Sequence, residues 1–256
     1  MRRVLRHQDR GKGLKEALAA MGTSSHGRLA SLLLIGPTGA GKTPFGDYIE
    51  KNGMAGKRCV HFDFGHQLRS IAGDDLTPSG LDREEHAFIK EVLTGGLLLE
   101  NEHFHIAGKI LDSFARSRDF RREDIMVLNG LPRHEGQATD MDGIVDIQSL
   151  IVLDCTPEDV YERISRNAGG DRSSRDDDGI ELVRKKLEIF SSRTEPLIEH
   201  YAKAGRGIFR IKVGVSSTAD DRVPFQVQPF SPEPSPLPGS VPQPVPGTFP
   251  QPVPVQ

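Results

Sequence analysis

Cysteine is scarce. Cys59 and Cys155 are the only two in 256 residues, too few for a disulfide scaffold, and neither has a Cys or His neighbour at zinc-ligand spacing. A reducing, cytoplasmic compartment is the expectation. Long apolar runs are also missing. The longest, Leu29–Ile35, falls far short of the ~20 residues that span a bilayer. The basic start (Arg2, Arg3, Arg6, Arg10) has no apolar stretch behind it, so neither a membrane partner nor a secretory signal is expected. Charge of one sign is lacking as well. Lys+Arg total 33 and Asp+Glu total 36, a formal net charge of -3, which predicts no general affinity for nucleic acid. Hydrophobic residues make up 36%, low for a globular chain. The deficit is local, because ten of the 18 prolines fall between Pro232 and Pro254.

That stretch carries Pro242-Gln-Pro-Val-Pro246 and again Pro250-Gln-Pro-Val-Pro254, and Glu233 is its only charge from Ser231 onward. Alternating prolines fix φ and remove donors, so residues 223–256 read as a disordered, PPII-leaning tail. Its sharper reading is a ligand for a Pro-recognising partner. A chain ending at residue 230 is expected to melt at the same temperature as the full chain. A drop of several degrees in a thermal melt would show that the tail packs on the rest. Residues 1–27 hold one short helical pattern, Leu14–Met21, and read as an extension. Between them, residues 28–222 alternate strand and helix patterns. Strands are expected at Leu29–Ile35, Arg58–Phe64, Asp124–Leu128, Ser149–Asp154 and Gly207–Lys212. Helices are expected at Lys42–Asn52, Asp82–Leu93, Glu102–Arg116, Pro157–Arg166 and Ile180–Lys203. Strands that are apolar throughout suit a sheet covered on both faces. The β-α alternation predicts an α/β fold with five parallel strands, helices on both sides and a helical insertion between the second and third strands.

Gly36-Pro37-Thr38-Gly39-Ala40-Gly41-Lys42-Thr43 matches G-x-x-x-x-G-K-[ST] at every fixed position, after an apolar strand and before a helix. Glycines let consecutive N–H groups line one concavity, and the helix N-terminus adds positive potential. Lys42 is expected at the β- and γ-phosphates, Thr43 at Mg²⁺, and ATP as the nucleotide; Pro44 follows directly. No N-K-x-D guanine motif appears, which disfavours a GTPase. Neither Asp154, followed by Cys155, nor the Asn129 strand end makes the Asp-Glu of a motor ATPase.

Further motifs occur in order. Asn129-Gly-Leu-Pro-Arg133 with Gln137 resembles D-G-[FY]-P-R-x-x-x-Q of the adenylate kinase and nucleoside monophosphate kinase family. Asp63-Phe-Gly-His-Gln-Leu-Arg69 resembles its S-T-G-D-L-L-R segment. Gly95-Gly-Leu-Leu-Leu-Glu100 is similar to its G-x-L-V-P stretch. Asp154-Cys-Thr-Pro-Glu-Asp-Val-Tyr-Glu-Arg163 is similar to its D-x-P-x-E-x-x-x-x-R strand–helix. Ser174-Arg-Asp-Asp-Asp178 resembles the lid of short-lid members, and Thr194-Glu-Pro-Leu-Ile-Glu-His-Tyr201 their T-x-P-L-I-x-x-Y helix. The resemblance runs from about Leu29 to Lys212. It implies ATP-dependent phosphoryl transfer to a nucleoside monophosphate, with a helical monophosphate-binding insertion, a short lid and no zinc; a monomer is expected.

The resemblance also implies roles. Arg69 and Arg133 would clamp the acceptor phosphate, with Gly130 beside them. Gln137 and Phe64 would meet the acceptor base, and Leu98 would line its pocket. Arg163 would lie over the donor adenine. Arg172 and Arg175 would close from the lid, and Lys186 would take the place of a family arginine. Guanidinium forks suit this work because they match phosphate oxygens bidentately. Phe64, His66 and Asn129 depart from the family pattern, and Asn129 removes a charge near Mg²⁺. These departures keep two other readings open, a divergent nucleotide-binding module with little activity and a P-loop kinase for another phosphate acceptor.

Overall fold

The computed structural model describes residues 28–54, 56–73, 78, 80–173 and 179–219, and the backbone of 227–229. The expected N-terminal extension, Arg175 and its acidic neighbours, and all but three residues of the expected tail lie outside the described residues.

Strand β1 (Leu29–Ile35) leads through the Gly-rich loop into helix α1 (Lys42–Asn52). Strand β2 (Cys59–Asp63) runs directly into α2 (Phe64–Ala72), so Phe64 opens a helix instead of closing a strand. Helices α3 (Arg83–Gly95) and α4 (Phe104–Ser117) form the insertion before β3 (Ile125–Asn129). Then come α5 (Glu135–Met141), β4 (Val145–Asp154), α6 (Pro157–Ser165), α7 (Ile180–Ile189), α8 (Leu197–Lys203) and β5 (Gly207–Lys212). The sequence predicts one helix over Ile180–Lys203; the structure divides it. A π-helical turn, Phe190–Thr194, precedes α8, and Pro196, which lacks an N–H, stands at the start of α8.

The strands are ordered β2-β3-β1-β4-β5, and all four pairings among them are parallel. A sixth strand, β6 (Val227–Pro229), pairs antiparallel with β5 at the edge. It falls inside the stretch expected to form no sheet. It precedes the proline repeat, and an edge strand tolerates a residue without an N–H.

Side chains alternate between two cores. Leu33, Val60, Phe62 and Met126 pack on one face; Leu32, Leu34, Val127 and Ile151 pack on the other. A register shift opposite Ser31/Leu32 lets Val145 and Ile147 share a face with Leu150 and Val152, because one extra residue reverses the parity of a strand. Among the described residues no helix is long and apolar enough to cross a membrane.

Helix α1 sits close on the edge strand β2. The His61 N–H donates to Glu50 Oε2 at 2.8 Å, which satisfies a group on the strand's open side. The buried His61 ring holds Asp47 Oδ1 at 2.8 Å through Nδ1. Gly46 faces that ring, and a Cβ there would collide with the imidazole. Gly46→Ala is expected to cost about 1–3 kcal/mol, lowering Tm by about 2–4 °C for each kcal/mol. A melt at the parent temperature would contradict this packing.

Candidate active site

The carboxyl ends of β1, β2 and β3 lie side by side, where parallel α/β sheets bind ligands. Gly39 and Gly41 take φ of +77° and +87°, the left-handed region that costs other residues strain. These two positions bend the loop around its own N–H groups. Gly41 caps α1 and offers no side chain of its own to the helix N–H groups, which leaves the cap position open to another acceptor. Lys42 Nζ donates to Gly36 O at 2.6 Å and Pro37 O at 2.8 Å, which lays the ammonium across the loop.

A cleft opens above this loop. It is lined by Lys42 and Thr43, by Arg69 of α2, by Gly130 and Arg133 after β3, by Arg172 in the loop after α6 and by Lys186 of α7. Five described cations thus face it, with Asp63 and Asp171 as the described carboxylates. A Cβ built on Gly65 would lie 3.3 Å from Arg69 Nη1 and 4.0 Å from Arg133 Nη2, so both guanidinium groups converge over that glycine. Arg133 is fixed from its own chain: Nε donates to Gly130 O at 2.9 Å, and Thr194 Oγ1 donates to Arg133 O at 2.8 Å. The buried Arg172 holds Asn167 Oδ1 through its N–H at 3.1 Å and reaches Thr38 Oγ1 at 3.4 Å. The far wall is apolar, made by Leu68, Val92, Leu93, Leu97, Leu98 and Phe190. Arg193 grips Glu100 with both nitrogens at 2.5 and 2.8 Å, tying the chain beyond this wall to the π-helical turn.

Six expected residues do not line this cleft: Pro37, Ala40 and Pro44 of the loop region, and Phe64, Gln137 and Arg163. Phe64 is buried and packs its ring 6.0 Å from Phe62. Gln137 is 1% exposed, and both ends of its amide hold backbone: Oε1 accepts from the Arg133 N–H at 2.8 Å, and Nε2 donates to Leu99 O at 2.6 Å. Arg163 is buried, with its guanidinium on Gly39 O at 2.9 Å, Gly214 O at 2.6 Å and Ser217 O at 2.8 Å. It braces the floor of a second cavity, between Ala40, Gly41 and Pro44 on one side and Gly169 and Thr218 on the other. Pro37 borders a third hollow beside Cys155.

Asp63 escaped the sequence reading. Thr43 Oγ1 donates to its Oδ2 at 2.5 Å, Asn129 Nδ2 to the same oxygen at 2.9 Å, and the His66 N–H to Oδ1 at 2.8 Å. Burial by itself would raise this carboxyl, but the Thr43 and His66 hydrogen bonds, with His61 and Arg69 nearby, hold it below the usual carboxylate range. In the sequence it opens the Asp63–Arg69 segment, where the family motif has Ser, with no role assigned to its carboxylate.

No family model matches the chain. Among curated proteins, an adenylate kinase of Stenotrophomonas maltophilia is 30% identical over 182 residues, 68% of this chain and 86% of that one. An adenylate kinase of Haloarcula marismortui is 28% identical over 196 residues, 66% of this chain and 83% of that one. A UMP-CMP kinase 1 of Oryza sativa is 28% identical over 183 residues, 70% of this chain and 66% of that one.

Proposed function

Because the chain belongs to the nucleoside monophosphate kinase family, we propose that it transfers the γ-phosphoryl group of ATP, taken up with Mg²⁺, to a nucleoside monophosphate. The observation that carries this reading is the convergence of Lys42, Arg69, Arg133, Arg172 and Lys186 on one cleft above the Gly-rich loop. Phosphoryl transfer brings two anionic groups together with little covalent work for the protein, so neutralisation and positioning are the task.

In this reading the loop N–H groups and Lys42 hold the donor phosphates, and the second cavity beside Arg163 takes the donor base. Arg69 and Arg133 orient the acceptor phosphate, and the Leu97–Leu98 wall and Phe190 take its base. Arg172, with Arg175 beyond the described residues, would close over the transferring group and keep water away from it. The residues present fit a magnesium ion. Thr43 offers a hydroxyl beside a carboxylate, which suits an ion held by one or two protein oxygens, water and substrate phosphates. The ion supplies charge neutralisation at the phosphate oxygens. A cytoplasmic monomer with a Pro-rich tether completes the proposal.

A coupled ADP-release assay with MgATP against AMP, CMP, UMP, GMP and their deoxy forms, beside a control without acceptor, tests it. Acceptor-dependent turnover with at least one monophosphate is expected. Tight ATP binding with no acceptor-dependent turnover would overturn it, leaving a nucleotide-binding module or a kinase for another acceptor.

A further inference from the structure

The register pairs Asp63 of β2 directly with Asn129 of β3. The two side chains meet at the cleft beside Thr43, the residue that the Gly-rich loop assigns to the metal. We propose that Asp63 is the carboxylate that serves the divalent cation of the bound nucleotide, so that the anionic residue of this site stands at the end of β2 while the end of β3 carries a neutral amide. This inference rests on the nucleotide reading above.

The geometry separates the two oxygens of Asp63. Oδ1 accepts from the His66 N–H at 2.8 Å and caps α2. Oδ2 is not needed for the cap. It accepts from Thr43 Oγ1 at 2.5 Å and from Asn129 Nδ2 at 2.9 Å, and all three side chains line the cleft. A helix cap alone accounts for Oδ1 and leaves Oδ2 unexplained. Magnesium prefers hard oxygen ligands and takes one or two carboxylates with substrate phosphates, and Oδ2 lies hydrogen-bonded to the hydroxyl that would hold the ion.

Asn129 is the complement of this arrangement. It is buried, with Nδ2 also 3.3 Å from Thr43 Oγ1 and 3.5 Å from His61 Nε2. As a donor it steadies Oδ2. A second carboxylate in its place would set two like charges in contact until a cation arrived. The amide and the carboxylate therefore form a matched pair across adjacent strands, joined at 2.9 Å. Asn129 then marks a charge carried by the neighbouring strand, and activity does not require an acid there.

The test uses the full chain and Mn²⁺ as the probe. Free Mn²⁺ is followed by its EPR signal during titration of the ATP-bound protein, and metal-free ATP affinity is measured in parallel by calorimetry. Asp63→Asn keeps an oxygen for the α2 cap. It is expected to weaken Mn²⁺ binding by about tenfold or more, the scale of losing a polar group at a metal site, and to leave metal-free ATP binding unchanged or tighter. Asp63→Ser/Asn129→Asp, which returns the carboxylate to β3, is expected to regain most of the Mn²⁺ affinity. Parent-like Mn²⁺ binding by Asp63→Asn would overturn the proposal, as would equal losses of Mn²⁺ and metal-free ATP binding, which mark a merely structural residue. Should Asp63→Asn fail to fold, the exchanged pair decides alone: retained Mn²⁺ affinity supports the proposal, and its loss overturns it. If the parent chain binds no ATP without metal and none with it, the nucleotide reading itself fails, which is a distinct result.

Discussion

Lys42→Ala is expected to lower phosphoryl transfer by at least ~10²–10³-fold, the scale of removing one preorganised donor from a developing charge, while the protein keeps its fold. The ammonium lies over Gly36 O and Pro37 O at the mouth of the loop. Those two part-buried, charge-assisted bonds contribute about 1.5 kcal/mol each at the low end of their range, so Tm should fall by several degrees, at about 2–4 °C for each kcal/mol, with the cooperative transition kept. In the proposed reaction the charge would matter far more to the transferring phosphoryl group, whose equatorial oxygens Lys42 would neutralise from the Gly-rich loop. The coupled assay and a thermal melt on the same preparation check both halves. Normal turnover by the variant would remove the Gly-rich loop from the active site, and a collapsed Tm would show that Lys42 holds the loop together.

Arg133→Ala is expected to reduce kcat/KM for the monophosphate by ~10²–10³-fold, with metal-free ATP affinity close to that of the parent. Arg133 differs from Lys42 in what fixes it. Its backbone is held by Gln137 and Thr194 and its Nε by Gly130 O. Its terminal nitrogen faces the same glycine as Arg69. Two guanidinium groups aimed at one point suit a single phosphate better than two. Arg133→Lys should recover only part of the loss, because an ammonium cannot form the paired hydrogen bonds of the fork. Initial rates over a matrix of ATP and acceptor concentrations separate the outcomes. A loss in ATP affinity alone would move Arg133 to the donor side of the cleft. Full recovery with lysine would mean that charge, and no fork geometry, is used there.

Parts of this site are legible without a structure. The run from Gly36 to Thr43 carries its own context, a strand before it and a helix after it, and the structure builds that unit. Arg69, Leu98, Gly130, Arg133, Arg172 and Lys186 lie in family order, and all of them reach one cleft. Motif order works here because each residue sits at the end of a strand or the face of a helix whose position follows from parallel topology. Phe64, Gln137 and Arg163 show where it stops working. A motif places a backbone position, and the direction of a side chain depends on the space around it. Phe64 has an apolar core within reach, Gln137 two backbone groups to bridge, and Arg163 a ring of carbonyls. Helix α5 was hidden for another reason, since seven residues carry too short a record of helical period to stand out from their neighbours.

Local pattern in the amino-acid sequence determined the five parallel strands, most helices, the phosphate loop and the kind of chemistry, since periodicity and glycine placement act within a few residues of themselves. Tertiary structure alone decided that Asp63 would stand beside Thr43 and Asn129, which lie 20 residues before it and 66 after it. Strand register brought these three together, and register is set by long-range packing of both sheet faces. No short window of sequence holds the information that one strand's end carries the charge for its neighbour.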